Sequence, residues 1–405
     1  MTTQTQEIKN MKLLSHHDLG GFGNGGEGVA IQMAPGGRRI LWIAHESGPK
    51  DVTGLDVSDP TDPKIVAQTD LDLPHLRSNS LAVLGDIMLV AYQSSRPGMP
   101  GAGMGVYDIS RPEQPNRIGF LDTSGPYSRG VHCLWWVDGE YAHISTGAHD
   151  FQPRNQKDDQ FYMVVDVKNP SRPVEAGRWW VPGIREGDSE PMPERHPQFD
   201  VGHRVHNTNV YPQRPDRAYL GWIDSGVIIL DVSDKSKPSM ISQLDYHPPF
   251  PGFTHTVLPI FNRDLLMVSE EATQFEHCED WPKLVWIMDI RMESKPVMIS
   301  SLPMPELEDF CARPGRFGAH NIHENDPTPY SFQSDDLVVG AFFNAGVRVY
   351  DTSNQYQPKE VAYFVPQIPQ GAPANAVNDV FVDENRTIYA VDRLKGGLYI
   401  LELTV

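Results

Sequence analysis

Basic residues are scarce in this chain of 405 residues. Lys and Arg number 34 against 53 Asp and Glu, and the formal net charge is −19. Nucleic acids and anionic membrane surfaces attract proteins through Lys and Arg, so this charge disfavours both as partners. We interpret the acidity as an aid to solubility.

Cysteines and long apolar runs are scarce as well. The three cysteines, Cys133, Cys278 and Cys311, are too few for a disulfide framework in a chain of this length. No apolar run is long enough to cross a bilayer, and the N-terminal stretch MTTQTQEIKNMKLL has no apolar signal-peptide core. We therefore expect free thiols and a cytoplasmic location.

Several familiar catalytic motifs are missing. The sequence has no G-x-S-x-G elbow, no phosphate loop and no C-x-x-C pair. The glycine-rich stretch GGFGNGGEG leads into a predicted strand rather than a helix, so it does not indicate a dinucleotide site. Long helical periodicity is also absent, and the one helix that we predict is a brief one near PELEDFCARPG.

A repeated phrase runs through the whole chain. An apolar strand ends in an acidic residue, a polar turn with proline follows, and a second strand begins, as in GLDVSDPTDPKIVAQTDL. Two further strands precede each copy, so each unit holds four short strands. The acidic residues are Asp56, Asp108, Asp166, Asp231, Asp289, Asp351 and Glu402. Because Asp in such turns caps local backbone groups, we assign these residues to the scaffold.

Seven units of four strands predict an all-β fold, a seven-bladed β-propeller that forms a single domain over residues 1–405. The last unit lacks its outer strand, and NMKLLSHHDLGG has the form of that strand. We therefore predict that the N-terminal strand pairs with the last blade and closes the ring. The blades span roughly residues 27–72, 79–122, 131–180, 205–246, 254–303, 319–365 and 377–405, the last completed by residues 10–19. The acidic phrases resemble the LVIVD-repeat propellers, a resemblance that implies the fold rather than an activity.

Four histidines fall at equivalent positions of the innermost strands, which line the central channel of a propeller. The aligned residues are Glu27, Asn79, His132, His206, His255, His320 and Asn378. Four neutral imidazoles bind Fe, Cu, Zn or Mn well, and open positions beside the other three residues would make the metal catalytic. We predict a four-histidine metal site, with iron favoured, and Glu27, Asn79 and Asn378 as catalytic groups. The alternative is that these side chains only hydrogen-bond in a wet channel.

Other polar residues lie close to the predicted ring. Glu270 and Glu271 end a strand in the blade of His255, and we expect one of them to hold the outer nitrogen of a ligating imidazole. His203 and His323 lie three residues from ring histidines and are weaker candidates, for supporting a ligand or for binding substrate.

The tetrad of His132, His206, His255 and His320 resembles the arrangement in the carotenoid-cleavage oxygenases, whose four histidines hold Fe(II) that activates O₂. It is also similar to the propellers of the selenium-binding protein and methanethiol oxidase group. The resemblance implies oxidative chemistry on a small organic substrate, for instance an aromatic one. One alternative is a hydrolase or lyase with Zn, Mn or Mg as Lewis acid and Glu27 as base. The other is a non-catalytic propeller that binds partners through its loop face.

Overall fold

The repeated strand phrases form antiparallel sheets. The computed structural model describes residues 6–275, 278–305 and 307–405, and within these ranges the chain forms seven four-stranded sheets. Neighbouring innermost strands contact one another around a ring, and the first blade contacts the seventh. The predicted seven-bladed β-propeller is confirmed.

The strands are numbered in chain order. Two short strands precede the first blade: β1 (Glu7–Lys9) and β2 (Met11–His17). The first four blades comprise β3 (Gly25–Ala34), β4 (Arg38–His45), β5 (Lys50–Asp56), β6 (Lys64–Asp70), β7 (Leu76–Leu84), β8 (Ile87–Ser94), β9 (Gly103–Asp108), β10 (Asn116–Asp122), β11 (Val131–Trp135), β12 (Tyr141–Thr146), β13 (Phe161–Asp166), β14 (Val174–Trp179), β15 (Val205–Tyr211), β16 (Arg214–Trp222), β17 (Gly226–Asp231) and β18 (Ser239–Leu244).

The last three blades contain the remaining strands: β19 (Thr254–Ile260), β20 (Leu265–Glu270), β21 (Val285–Asp289), β22 (Val297–Ser301), β23 (Leu337–Ala341), β24 (Val347–Asp351), β25 (Lys359–Val365), β26 (Val377–Val382), β27 (Thr387–Asp392) and β28 (Gly397–Leu403). The predicted brief helix is α1 (Leu307–Ala312). Single turns of 3₁₀ helix lie at Leu19–Gly21, Pro35–Gly37, Gln156–Asp158, Ile223–Ser225 and Phe261–Arg263. No helix in the described ranges has both the length and the apolar character needed to span a membrane.

The middle strands of each blade are buried on both faces because neighbouring blades pack against them. Six consecutive residues of β4, Ile40 to His45, are buried, whereas the outer strand β6 is exposed at its ends and only Ala67 within it is buried. This explains why the second and third strands are almost continuously apolar in sequence. The repeated acids cap their turns as predicted: the Asp56 carboxylate, for example, accepts a hydrogen bond from the Ser58 N–H at 3.0 Å.

The N-terminal segment closes the ring. β2 pairs with β28 from Met11 opposite Leu403 to His17 opposite Leu398, and so supplies the outer strand of the seventh blade. β1 pairs with β25 at the edge of the sixth blade, which the sequence did not reveal. Asn10 joins the two strands at a φ of 50°, a left-handed conformation that Asn tolerates better than most residues.

The inner segment of the sixth blade departs from the prediction of a fourth regular strand. Isolated bridges join Ile322 to Gly340 and Phe317 to Phe343, and the His320 N–H donates to the Ala341 carbonyl at 3.0 Å. Side chains of this segment also bond to the seventh blade, where the Asn378 carbonyl accepts from His320 at 2.6 Å. Because the segment has no continuous ladder within its own blade, these bonds to the seventh blade help to fix its position.

The expectation of three free thiols is wrong for two of them. Cys278 and Cys311 form a disulfide, with their Cα atoms 5.6 Å apart, that links the loop after β20 to α1. The two cysteines are 33 positions apart and β21 and β22 lie between them, so the fold brings together cysteines that are distant in sequence. Cys133 is free and buried. The cytoplasmic location stays a prediction, and the disulfide counts against it because the cytoplasm keeps most thiols reduced.

One buried polar cluster lies between the first two blades. The Asp51 carboxylate accepts a hydrogen bond from the Tyr92 hydroxyl at 2.9 Å, and Tyr92 and Tyr107 share another at 2.6 Å. Burial raises the pKa of Asp51 to about 7. The folded protein therefore holds a proton on this carboxyl that the unfolded chain releases near pH 4.

The N-terminal strands should stabilise the entire ring. A chain without residues 1–17 should unfold at a temperature lower by about 5 °C or more, because the β28 edge and the apolar surface beneath Met11 become exposed. Thermal unfolding followed by circular dichroism measures this. The control is Lys12→Ala, which removes an exposed side chain and keeps the strand pairing. Equal midpoints for the truncated and full chains would contradict the closure.

Asp51→Asn should change the pH dependence of stability. The folded pKa of Asp51 is raised, so its contribution weakens as pH rises from about 4 to about 7, whereas Asn does not titrate. The difference in free energy of unfolding, variant minus natural protein, should therefore increase by about 1.4 kcal/mol for each unit by which the pH rises in that window. Urea titrations measure the difference, with the exposed Asp62→Asn as control. A difference that does not vary with pH would refute the buried carboxylic acid.

Candidate metal centre

Strand pairing is interrupted at the predicted ring in six of the seven blades. The pairing between first and second strands shifts register at Gly25/Val29, Arg77/Ser80, Val131/Cys133, Val205/Thr208, Thr254/Val257 and Val377/Asp379. The ring residues lie inside these irregularities. A β-bulge bends its strand and changes the direction of the unpaired side chain, which is why bulges are common beside functional sites.

The structure brings all four ring histidines to one carboxylate. Glu27 Oε2 lies 3.9 Å from the Nε2 of His132, 3.6 Å from that of His206 and 3.8 Å from that of His255. Its Oε1 lies 3.7 Å from the Nε2 of His320. Sets of three from these residues have ligand atoms close enough to share a metal ion. The sequence placed Glu27 beside the open positions of the metal, whereas the structure places it among the imidazoles.

Hydrogen bonds to Nδ1 orient two of the rings. The carbonyl oxygen of Asn378 can only accept, so His320 Nδ1, 2.6 Å away, carries the proton and its Nε2 presents a lone pair to the axis. His206 Nδ1 lies 2.8 Å from Asn207 Oδ1. The Asn207 amide is oriented by its NH₂ group, which donates to Glu324 at 2.8 Å. This is the arrangement of metal-binding histidines, whose outer nitrogen is held by a second group.

The other two rings also have polar groups beside Nδ1. His255 Nδ1 lies 2.8 Å from the Thr256 hydroxyl. His132 Nδ1 lies 3.1 Å from Gln93 Oε1 and 3.3 Å from Arg77 Nη2. Sequence analysis missed these partners. A signal was nevertheless available, because Thr256, like Asn207, is a polar residue directly after a ring histidine.

Two glycines let Glu27 reach the axis. A Cβ on Gly26 would lie 2.6 Å from the Asn79 carbonyl oxygen, and one on Gly28 would lie 2.3 Å from the Leu81 nitrogen. Real Cβ atoms essentially never come this close to backbone atoms. The glycines therefore allow β3 to approach β7 closely. Both belong to the glycine-rich stretch GGFGNGGEG, so this close packing explains part of that stretch.

Burial keeps the imidazoles neutral. It lowers the pKa of His132, His255 and His320 far below the usual value for histidine and that of His206 to about 4. Burial also raises the pKa of Glu27 to about 8, with further contributions from nearby carboxylates. Neutral imidazoles keep the lone pairs that a metal needs.

Where Glu27 meets the ring histidines, three buried polar atoms lack a hydrogen-bond partner within the described ranges: Glu27 Oε2, His255 Nε2 and His320 Nε2. Buried polar atoms are normally paired, so such a group calls for an explanation. A cation between them would accept a lone pair from each. The residues present thus fit a metal ion.

The two adjacent glutamates are in different environments. Glu271 Oε1 lies 3.7 Å from His320 Nε2 and accepts a hydrogen bond from Arg316 at 2.8 Å. Glu270 Oε2 instead accepts from the Leu284 N–H at 2.8 Å. Successive residues point to opposite sides of an extended chain, so only Glu271 reaches the centre.

The two ring asparagines connect neighbouring blades. Asn79 donates to the carbonyl of His132 at 3.2 Å, and Asn378 donates to the carbonyl of Gly26 at 2.9 Å. Their amide groups are therefore used to hold the inner strands together. These bonds favour a supporting role over the catalytic role that the sequence indicated.

His203 and His323 lie outside the centre and have both ring nitrogens occupied. His203 bonds to the Ser225 hydroxyl at 2.7 Å and to the Glu194 carbonyl at 3.1 Å, which ties the loop before β15 to its blade. His323 bonds to the carbonyl of Phe332 at 2.9 Å and to a backbone N–H of the seventh blade. Both histidines hold loops in place, and neither offers a free nitrogen to a metal.

Cavities lie on both sides of Glu27. On one side, a cavity of about 240 Å³ reaches His132, His206 and Glu271. On the other, a cavity of about 60 Å³ is lined by residues including Cys133, Glu324 and Asp379. Burial raises the pKa of Glu324 to about 7 and that of Asp379 to about 8. The larger cavity gives access to the imidazoles.

Comparison with known proteins supports the fold. The model of the LVIVD repeat matches residues 158–180 and 216–245, so the chain carries LVIVD repeats. The β-propeller domain of Myceliophteria thermophila Cps50 (Swd1) is 13% identical, with a TM-score of 0.54 over 99% of this chain and 100% of that one. The periplasmic gluconolactonase PpgL of Pseudomonas aeruginosa is 16% identical, with a TM-score of 0.50 over 83% and 87%. At these identities the likeness shows the fold alone. No curated protein matches the sequence.

Gly28→Ala should disturb the centre. The added methyl group would lie 2.3 Å from the Leu81 nitrogen, and β3 would have to move away from β7. We expect a loss of about 1–3 kcal/mol in the free energy of unfolding, measured with urea. Gly340→Ala is the matched control, because its methyl group would meet only side-chain atoms at 3.2 Å, which can shift. Equal losses in the two variants would contradict the role given to Gly28.

Proposed function

We propose that the chain is a metalloenzyme in which four imidazoles and Glu27 bind one iron ion on the propeller axis and support oxidative chemistry on a small organic substrate. The observation that carries the proposal is that four Nε2 atoms lie 3.6–3.9 Å from the carboxylate oxygens of Glu27. Glu27 is then a ligand rather than the base considered from the sequence. The resemblance of the tetrad to that of the carotenoid-cleavage oxygenases supports the same chemistry.

The number and type of ligands favour iron. Four imidazoles and one carboxylate give five donors, whereas zinc sites use four protein ligands in structural sites and three in catalytic ones. Iron binds mixed histidine and carboxylate sets with open positions in many oxygenases. An iron ion held by these residues would still be able to bind a small molecule as a further ligand. Copper, zinc and manganese are the alternatives.

A bound iron ion would supply the redox chemistry, and the protein orients the imidazoles that would hold it. Hydrogen bonds at Nδ1 fix each imidazole with its Nε2 toward the axis. Phe343 stacks on His320 with ring centroids 4.6 Å apart, and Phe253 lies 6.1 Å from His206. These two aromatic rings pack beside the imidazoles, and Phe253 also lines the cavity that reaches them. The cavity that reaches His132 would admit the substrate.

Removal of single ligands should remove the metal. Protein purified without chelators or a His-tag should contain about one iron per chain, and His206→Ala and His255→Ala should each lose most of it. Elemental analysis measures the metal, and circular dichroism verifies that the propeller is still folded. His203→Ala is the matched control, because His203 is buried outside the centre and should leave the metal content unchanged. A natural protein without stoichiometric metal would overturn both enzymatic interpretations and leave a non-catalytic propeller.

Oxygen consumption tests the type of chemistry. The iron-loaded protein should consume O₂ when offered a panel of small aromatic substrates, and His255→Ala should reduce the rate at least about a hundredfold, since the metal is lost. An oxygen electrode records the rate. Tight binding of zinc or manganese without O₂ consumption would contradict oxidative chemistry and support a hydrolase or lyase.

A further inference from the structure

Five arginines line the larger cavity beside the metal centre. We call this cavity the arginine vestibule; its arginines are Arg77, Arg129, Arg204, Arg316 and Arg393. It also reaches His132 and His206, so a molecule bound in it lies against the imidazoles. Five guanidinium groups around about 240 Å³ are unexpected in a protein with a net charge of −19.

The carboxylates nearby do not balance this charge. Arg77 and Arg393 share Glu46, each with a nitrogen 2.5 Å from the same oxygen. Arg316 and Arg393 share Glu271, at 2.8 and 3.5 Å.

Arg129 and Arg204 likewise share Asp159, at 2.5 and 3.5 Å. The ion pairs of the five arginines therefore involve three carboxylates within the described ranges. Glu27 also lines the cavity, and its pKa is raised to about 8, so with Glu27 protonated the arginines exceed the carboxylates by two charges. Burial also lowers the pKa of Arg204.

Unused hydrogen-bond donors line the same cavity. Gln93 and Gln160 are each 2% exposed, and their Nε2 groups have no partner within the described ranges. Arg204 Nε is also buried without a partner there. Because buried donors are normally satisfied, these three point to an acceptor that binds in the vestibule.

Part of the wall is apolar. Val201, Ile223 and Phe253 line the vestibule together with the arginines. An inorganic ion would leave these side chains without a contact, whereas the apolar body of an organic anion would cover them. The cavity is smaller than the 300–1,000 Å³ typical of drug-sized ligands, so its occupant is small.

We propose that the arginine vestibule binds the carboxylate or phosphate group of a small organic anion, whose apolar part packs on Phe253 and faces the imidazoles. Planar guanidinium groups bind both kinds of oxyanion through paired hydrogen bonds. The identification of this anion as the substrate rests on the proposed function. The binding itself rests only on the arginines and glutamines.

Isothermal titration calorimetry with four probes tests the proposal: benzoate, phenyl phosphate, inorganic phosphate and neutral benzamide. Benzoate or phenyl phosphate should bind at least about tenfold more tightly than benzamide, because each forms charge-assisted hydrogen bonds. The tighter of the two identifies the anionic group. Inorganic phosphate should compete weakly, since it lacks the apolar part.

Arg204→Met should weaken binding of the preferred anion by about tenfold or more. This variant leaves Asp159 paired with Arg129, so the fold should be kept. Gln160→Met provides a second variant with a smaller change in the vestibule. The exposed Arg111→Met is the control and should bind the anion as the natural protein does.

The titrations are run on both iron-loaded and chelator-treated protein. Binding that survives chelation supports the vestibule, even where the protein proves to have no redox activity. Binding that requires the metal and does not change in Arg204→Met and Gln160→Met would overturn the vestibule while leaving the metal centre intact. Affinities for benzoate and phenyl phosphate that both equal the affinity for benzamide would overturn it as well.

Discussion

Seven inner segments, one from each blade, surround a common axis, and side chains at one level of this axis share a narrow space. Uninterrupted pairing would direct residues to alternate sides of each strand. The structure instead breaks the pairing at this level in six blades and replaces the strand by an irregular segment in the other. The convergence of the imidazoles therefore depends on local irregularity within a regular architecture.

Electrostatics along the axis follow from the same crowding. Neutral imidazoles and a carboxyl with a raised pKa meet at Glu27, where charges are costly to bury. Arginines dominate the cavity on one side, and acidic side chains such as Glu324 and Asp379 dominate the other. The axis is thus polarised, and a cation and an anion are favoured at different levels of it.

Much of the fold could be read from the sequence because strand phrases and turn residues repeat. The four ring histidines could also be aligned, since each lies near the start of an inner strand or, for His320, of the segment that replaces one. The partners in other strands, such as Gln93 and Asn378, could not be predicted, because a bulge is a backbone property that residue alternation does not report. The pairing of Cys278 with Cys311 and the separation of Glu270 from Glu271 depend on loops that carry no repeat. The roles of Gly26 and Gly28 could not be predicted either, because they depend on the distance between β3 and β7.

Ring closure has a consequence for biosynthesis. β2 precedes all seven inner segments in the sequence, yet its partner β28 belongs to the seventh blade, so this pairing forms only after β28 has been synthesised. Glu27 lies in the first blade, and His320 is oriented by Asn378 of the seventh, so the two ends of the chain meet beside the centre. The hydrogen bond that orients His320 is therefore complete only when the seventh blade has joined the ring.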